Sequence, residues 1–102
     1  RRPRIGAGFG GLSGPGIKPI ALRMVHEAWK AVKIPVVGLG GIGSGEDAAE
    51  FLIAGASAVE VGTANFWDPA SCERIARELD GFLREQGTTV AALTGTMRSG
   101  NC

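Results

Sequence analysis

A chain of 102 residues has room for one small domain, and 44% hydrophobic with 21% charged residues is the composition of a globular protein rather than a disordered one. A net charge of +1 offers no basic excess for a nucleic-acid surface, and no run approaches the roughly 18 consecutive apolar residues of a membrane helix. Two cysteines, Cys72 and Cys102, and one histidine, His26, lack the spacing of a metal site.

No apolar segment follows the basic cluster Arg1, Arg2 and Arg4, so no signal peptide is read there and a cytoplasmic protein is expected. The cluster itself reads as a solvated tail. Glycine is the outlier, with 17 residues, against a usual share of about 7%. One group runs from Gly6 to Gly16 and another from Gly38 to Gly45. Such clusters mark backbone that turns sharply or approaches a ligand closely.

Residues 1–16 read as a loop. A helix follows, with Pro19 tolerated in its first turn and an apolar stripe of Ala21, Val25, Ala28, Trp29 and Val32. His26 falls off that stripe and is expected to face solvent. Pro35 prevents continuation. Ile34 to Leu39 is a short apolar run without polar alternation, the pattern of a strand buried on both faces. It stops at Gly40-Gly41.

Ser44 is placed to cap a second helix, with Asp47 as the capping-box partner and Gly55 as the stop. Ala56 to Val61 reads as a second strand ending at Gly62-Thr63. Asp68-Pro69 looks like an N-cap with proline at the first helical position. The helix it opens has Ile75, Leu79, Phe82 and Leu83 on one face and ends at Gly87. Thr88 to Cys102 reads as a short helical turn and a tail. Phe66 and Trp67 are expected to be structural, and Cys72 to be packed.

Strands separated by a helix imply parallel pairing through right-handed crossovers. The order loop, helix, then two similar strand–helix units is α/β. It is the signature of a doubly wound sheet or of part of a (β/α)8 barrel. A whole barrel takes about 250 residues, and two strands cannot close one. The chain therefore reads as an incomplete barrel, or as a piece that assembles with copies of itself or a partner.

Gly40-Gly41 and Gly62-Thr63 each sit just past the C-terminal end of a strand, where α/β folds bind ligands. Glycine there exposes backbone N–H groups, Thr63 adds a hydroxyl, and a following helix N-terminus would favour an anion. Either turn alone reads as a tight connection. Two in successive units, with a third glycine cluster before the first helix, point to a phosphate. Gly38, Gly40 and Gly43 formally match a dinucleotide fingerprint, but Glu60 is read inside the second strand rather than at its end. Lys18 could reach an anion, though a solvated lysine is the plainer reading. Ser13, between glycines, has no base near it in sequence and is not a nucleophile elbow.

The stretches Gly10 to Pro15, Ile17 to Val25, Ile34 to Ile42, Ser44 to Val59 and Val61 to Phe66 resemble class 1B dihydroorotate dehydrogenases, from the end of the sixth strand onward. The resemblance implies the C-terminal portion of an FMN-binding TIM barrel spanning residues 1–102. Its flavin contacts would be Gly14 after the sixth strand, Gly40 and Gly41 after the seventh, and Gly62 and Thr63 after the eighth.

The family oxidises dihydroorotate to orotate in pyrimidine synthesis. A base takes one proton, and hydride goes to the flavin, which carries the redox chemistry. Homodimers, and a partner subunit with FAD and an iron–sulfur cluster passing electrons to NAD, are further implications. The family's catalytic cysteine, flavin lysine and orotate-binding asparagines would precede Arg1. No catalytic or metal residue is therefore assigned here, and the chain is expected to be inactive alone. A non-catalytic phosphate-binding or self-associating partial barrel, or a different FMN barrel akin to dihydropyrimidine dehydrogenase, are the alternatives.

Overall fold

A computed structural model describes residues 11–97. The expectations for Arg1, Arg2, Arg4, Gly6, Gly8 and Cys102 lie outside these residues. A 3-10 turn, Pro15–Ile17, leads into α1 (Lys18–Ala31). Then come β1 (Val37–Leu39), α2 (Gly45–Ala54), β2 (Ala58–Glu60), α3 (Ala64–Trp67), α4 (Ser71–Gln86) and α5 (Val90–Leu93). β1 and β2 pair in parallel, with Val37 opposite Ala58, Gly38 opposite Val59 and Leu39 opposite Glu60. This is the expected α/β order. Both strands are shorter than expected, and Glu60 is the last residue of β2 rather than an interior one.

α2 is the centre of the molecule. Ala48, Phe51, Leu52 and Ala54 are buried, with Val25 from α1 and Ile75 from α4 packed into the same core. β1 meets this core through Gly38, where an added Cβ would lie 2.6 Å from Phe51 Cδ1. Only a residue without a side chain lets the Phe51 ring approach the strand this closely.

The ends of α2 are satisfied almost entirely from outside the helix, as a buried terminus requires. Ser44 Oγ accepts from Asp47 N–H at 3.1 Å, as its cap position suggests. Asp47 does not complete the box on Ser44; its Oδ2 accepts from Gly43 N–H at 3.0 Å. At the C-terminus, Gly55 N–H donates to Leu52 O and Ala56 N–H to Phe51 O, both at 3.0 Å. Gly95 N–H adds a bond to Leu52 O, and Met97 N–H donates to Ile53 O at 2.9 Å.

Ala54 O is taken by His26 Nδ1 at 2.9 Å. His26 is therefore half-buried and structural rather than solvent-facing, and its ring stacks on Trp29 with centroids 6.0 Å apart. A carbonyl partner makes Nδ1 the protonated nitrogen.

The start of α4 is displaced from its expected place. Its N-cap is Ala70, and Pro69 lies in the preceding turn. Asp68 Oδ1 accepts from Ala70 N–H at 3.2 Å, an Asx turn rather than a helix cap. Asp68 uses its other oxygen on Arg74 Nε at 3.0 Å. The helix then follows the expected face, with Ile75 buried, and ends at Gly87, which takes the left-handed conformation with φ 63°.

The expectation of strands buried on both faces fails on one side. Val37 and Leu39 are 52% and 53% exposed. Gly38 and Val59 face the helices. Val37, Leu39, Ala58 and Glu60 face away from them, and no element among the described residues covers that side.

Candidate functional site

The C-terminal ends of both strands open into one cleft of about 290 Å³. Three segments line it: Leu12 to Ile17 ahead of α1, Leu39 to Gly43 after β1, and Gly62 to Ala64 with Trp67 after β2. The five residues singled out from sequence, Gly14, Gly40, Gly41, Gly62 and Thr63, all lie on its wall. The parallel pairing explains the convergence, since both turns leave the same edge of one sheet.

The local backbone explains why glycine stands at three of these positions. Gly14, Gly40 and Gly41 have φ of 97°, 128° and 72°, where L side chains are strained. Gly41 also presses on the start of α1: an added Cβ would lie 2.8 Å from Lys18 N and 2.9 Å from Lys18 Cα. The turn after β1 thus sits on the N-terminal end of a 14-residue helix, whose dipole favours negative charge nearby. Gly62 differs. Its Cβ would meet only Leu39 Cδ1, at 3.9 Å.

The N–H groups of Gly40, Gly41, Ile42, Gly62 and Thr63 donate to no acceptor among the described residues, and the Thr63 side chain caps nothing. Among the described residues, no acidic or basic side chain lines the cleft. Donors without a counter-charge suit an anion held by main chain, the chemistry of phosphate nests.

The N-terminus of α2, by contrast, gives little to a ligand. Gly43 N–H is held by Asp47, Gly45 N–H by Glu78 at 2.8 Å, and Asp47 N–H by Ser44. The helix-dipole contribution expected there is met by the protein's own carboxylates.

Lys18 is ion-paired rather than free in solvent, and it does not line the cleft. Its Nζ lies 2.7 Å from Asp47 Oδ1 and 3.0 Å from Glu50 Oε2. Hydrogen bonds to Asp47 and then Glu50 raise its pKa above the usual lysine value. For Asp47, partial burial pushes the pKa up, but the bonds from Lys18, Gly43 N–H and Ser44 outweigh it and hold the carboxyl below its ordinary value.

A carboxylate with a lowered folded pKa stabilises above its unfolded value, and that contribution is lost as pH falls through the folded value. Asp47→Asn is therefore expected to weaken the protein at neutral pH and to make its acid sensitivity shallower below about pH 4. Urea midpoints at neutral and acid pH check this; parallel pH profiles would refute it.

Cys72 is exposed rather than packed, with its thiol 3.6 Å from Asn65 Oδ1. Phe66 is 88% exposed and Trp67 lines the cleft, so the structural role expected of them is not one of packing in the core described here. Sequence reading missed α3 and the role of Asn65. Asn65 Nδ2 donates to Val61 O, and its Oδ1 accepts from the buried Ser71 hydroxyl at 2.7 Å, joining the turn after β2 to α4. A four-residue helix has no periodicity to detect.

The model of a family described as dihydroorotate dehydrogenase matches residues 1–83. A putative dihydroorotate dehydrogenase A (fumarate) of Solibacter usitatus is 71% identical over 96% of the chain. The catalytic subunit of dihydroorotate dehydrogenase B (NAD(+)) of Geobacter metallireducens is 59% identical over the same 96% share. The chain spans 33% and 32% of these relatives, about a third of their length. A ligand-free dihydroorotate dehydrogenase structure from Eimeria tenella superimposes with a TM-score of 0.79 at 32% identity, covering 94% of this chain and 29% of that one. The sequence match over most of the chain and the shared fold agree: this chain belongs to the dihydroorotate dehydrogenase family.

Proposed function

We propose that this chain forms the flavin-phosphate end of a dihydroorotate dehydrogenase, with Gly14, Gly40, Gly41, Gly62 and Thr63 around the phosphate of FMN. The observation that carries the reading is the cluster of backbone N–H groups, without acceptors among the described residues, on the wall of one cleft whose described lining carries no charged side chain. When bound, FMN supplies the electron sink for oxidation of dihydroorotate to orotate in pyrimidine synthesis. The residues described here bind and orient its phosphate, and none of those lining the cleft is a general base. The bare face of Val37 and Leu39 is the surface that further strands of a closed (β/α)8 barrel would cover.

The acceptor we assign is NAD, in a cytoplasmic enzyme that pairs as a homodimer with a partner subunit carrying FAD and an iron–sulfur cluster. The sequence resemblance to class 1B and the names of the type B relatives support this assignment. Rapid reoxidation of the reduced protein by fumarate, without a partner subunit, would place it with the type A relative instead.

The test of the phosphate reading compares FMN with riboflavin, which lacks the phosphate, on the full-length gene product. Charge-assisted bonds from several amides predict a preference for FMN of about 100-fold or more. Equal affinity for the two flavins would overturn it.

A further inference from the structure

We propose that Arg74 of α4 is a positioning residue that fixes the two glycine turns of the cleft relative to one another. The inference rests on the flavin-phosphate reading and adds a residue that lies outside the cleft wall. Arg74 Nη2 donates to Gly43 O at 2.9 Å, which ties it to the end of the turn after β1. Its Nε donates to Asp68 Oδ2 at 3.0 Å, and Asp68 N–H in turn bonds to Ala64 O at 3.0 Å, closing the short helix that follows Gly62-Thr63. One guanidinium therefore bridges the two turns.

Glu78, one helical turn further along α4, completes the arrangement. Its Oε1 accepts from Gly45 N–H at 2.8 Å, and Arg74 Nη1 donates to both of its oxygens at 3.1 and 3.3 Å. The approach is close because Gly45 has no side chain: a Cβ there would lie 2.7 Å from Leu79 N. Gly43 is consequently held through both its polar groups, the carbonyl by Arg74 and the N–H by Asp47. The amides of Gly40, Gly41 and Ile42 immediately before it are left for a ligand.

Three partners in different directions need the planar fork of arginine. A lysine ammonium carries no such fork, so Arg74→Lys should not restore function. The experiment titrates FMN and riboflavin into the full-length gene product and its Arg74→Gln and Arg74→Lys variants, following flavin fluorescence. Outer-shell orienting groups are worth about 10–100-fold in affinity where they have been removed from other sites.

The expected result is a loss of about tenfold or more in FMN affinity in both variants, with riboflavin affinity unchanged. A merely structural role would lower both flavins together, and that outcome would overturn the proposal. So would an FMN preference unchanged in both variants. Should Arg74→Gln fail to fold, Asp68→Asn serves. It keeps the oxygen that receives Ala70 N–H and loses the one that receives Arg74, and a selective loss of FMN binding is again expected. A wild-type protein without any FMN preference would instead refute the phosphate reading itself.

Discussion

Alanine at Gly41 is expected to lower FMN affinity by about 100-fold or more, because a small displacement of a binding turn is enough for a loss of that size. Two causes act together. The backbone at φ 72° is unfavourable for any residue with a Cβ, and the new methyl would meet the main chain of Lys18 rather than a flexible side chain. α1 cannot yield locally, so the turn must lift and carry its amides with it. The strain and contact together are also expected to cost about 2–4 kcal/mol of stability.

Gly62→Ala separates the two effects. Gly62 has no positive φ and its added Cβ has room beside Leu39, so stability should hold while FMN binding falls. Flavin titration and urea unfolding of both variants check the pair. Wild-type affinity in Gly41→Ala would remove the turn after β1 from the site.

The largest loss of stability is expected from Phe51→Ala, at about 3–5 kcal/mol. Phe51 is fully buried in the middle of α2, and its ring fills the space left by Gly38 beneath β1. The neighbours cannot collapse into the void cheaply, since β1 is held in register by β2 and α2 is tied at both ends. Removing the ring also unseats the strand that presents Gly40-Gly41, so flavin binding should weaken in step with stability. A urea unfolding free energy lowered by less than about 1 kcal/mol would show that α2 is not the central support.

The parts of this architecture legible in the sequence are those set by local chemistry. Ser44 caps, Gly55 and Gly87 stop helices, and the apolar runs around Val37 and Val59 become strands because each depends on neighbours a few positions away. The turns Gly40-Gly41 and Gly62-Thr63 were legible for a related reason, since each follows directly on an apolar run and the two recur in successive units; Gly14 as a contact came only from the family resemblance.

What escaped depends on distant partners. His26 looked exposed because its acceptor, Ala54 O, belongs to another helix. Asp68 looked like a helix cap, yet Arg74 claims one oxygen and the helix begins two residues after Pro69. The acceptors at the start of α2 include Glu78, 33 positions away, and no local pattern announces that. Val37 and Leu39 read as doubly buried because apolar runs report what a strand needs from its full sheet, and only one side is covered here.

The two tryptophans lie at opposite ends of the strands. Trp29 rests against Gly55 and Gly95 beside the C-terminal end of α2, whereas Trp67 stands at the mouth of the cleft. Each indole therefore sees a different event. Emission from Trp29 reports whether α1 and the segment after α5 remain docked on α2. Emission from Trp67 is placed to be quenched by an absorbing ring system bound nearby. Replacing one tryptophan at a time, Trp29→Phe or Trp67→Phe, would separate the folding signal from the occupancy signal.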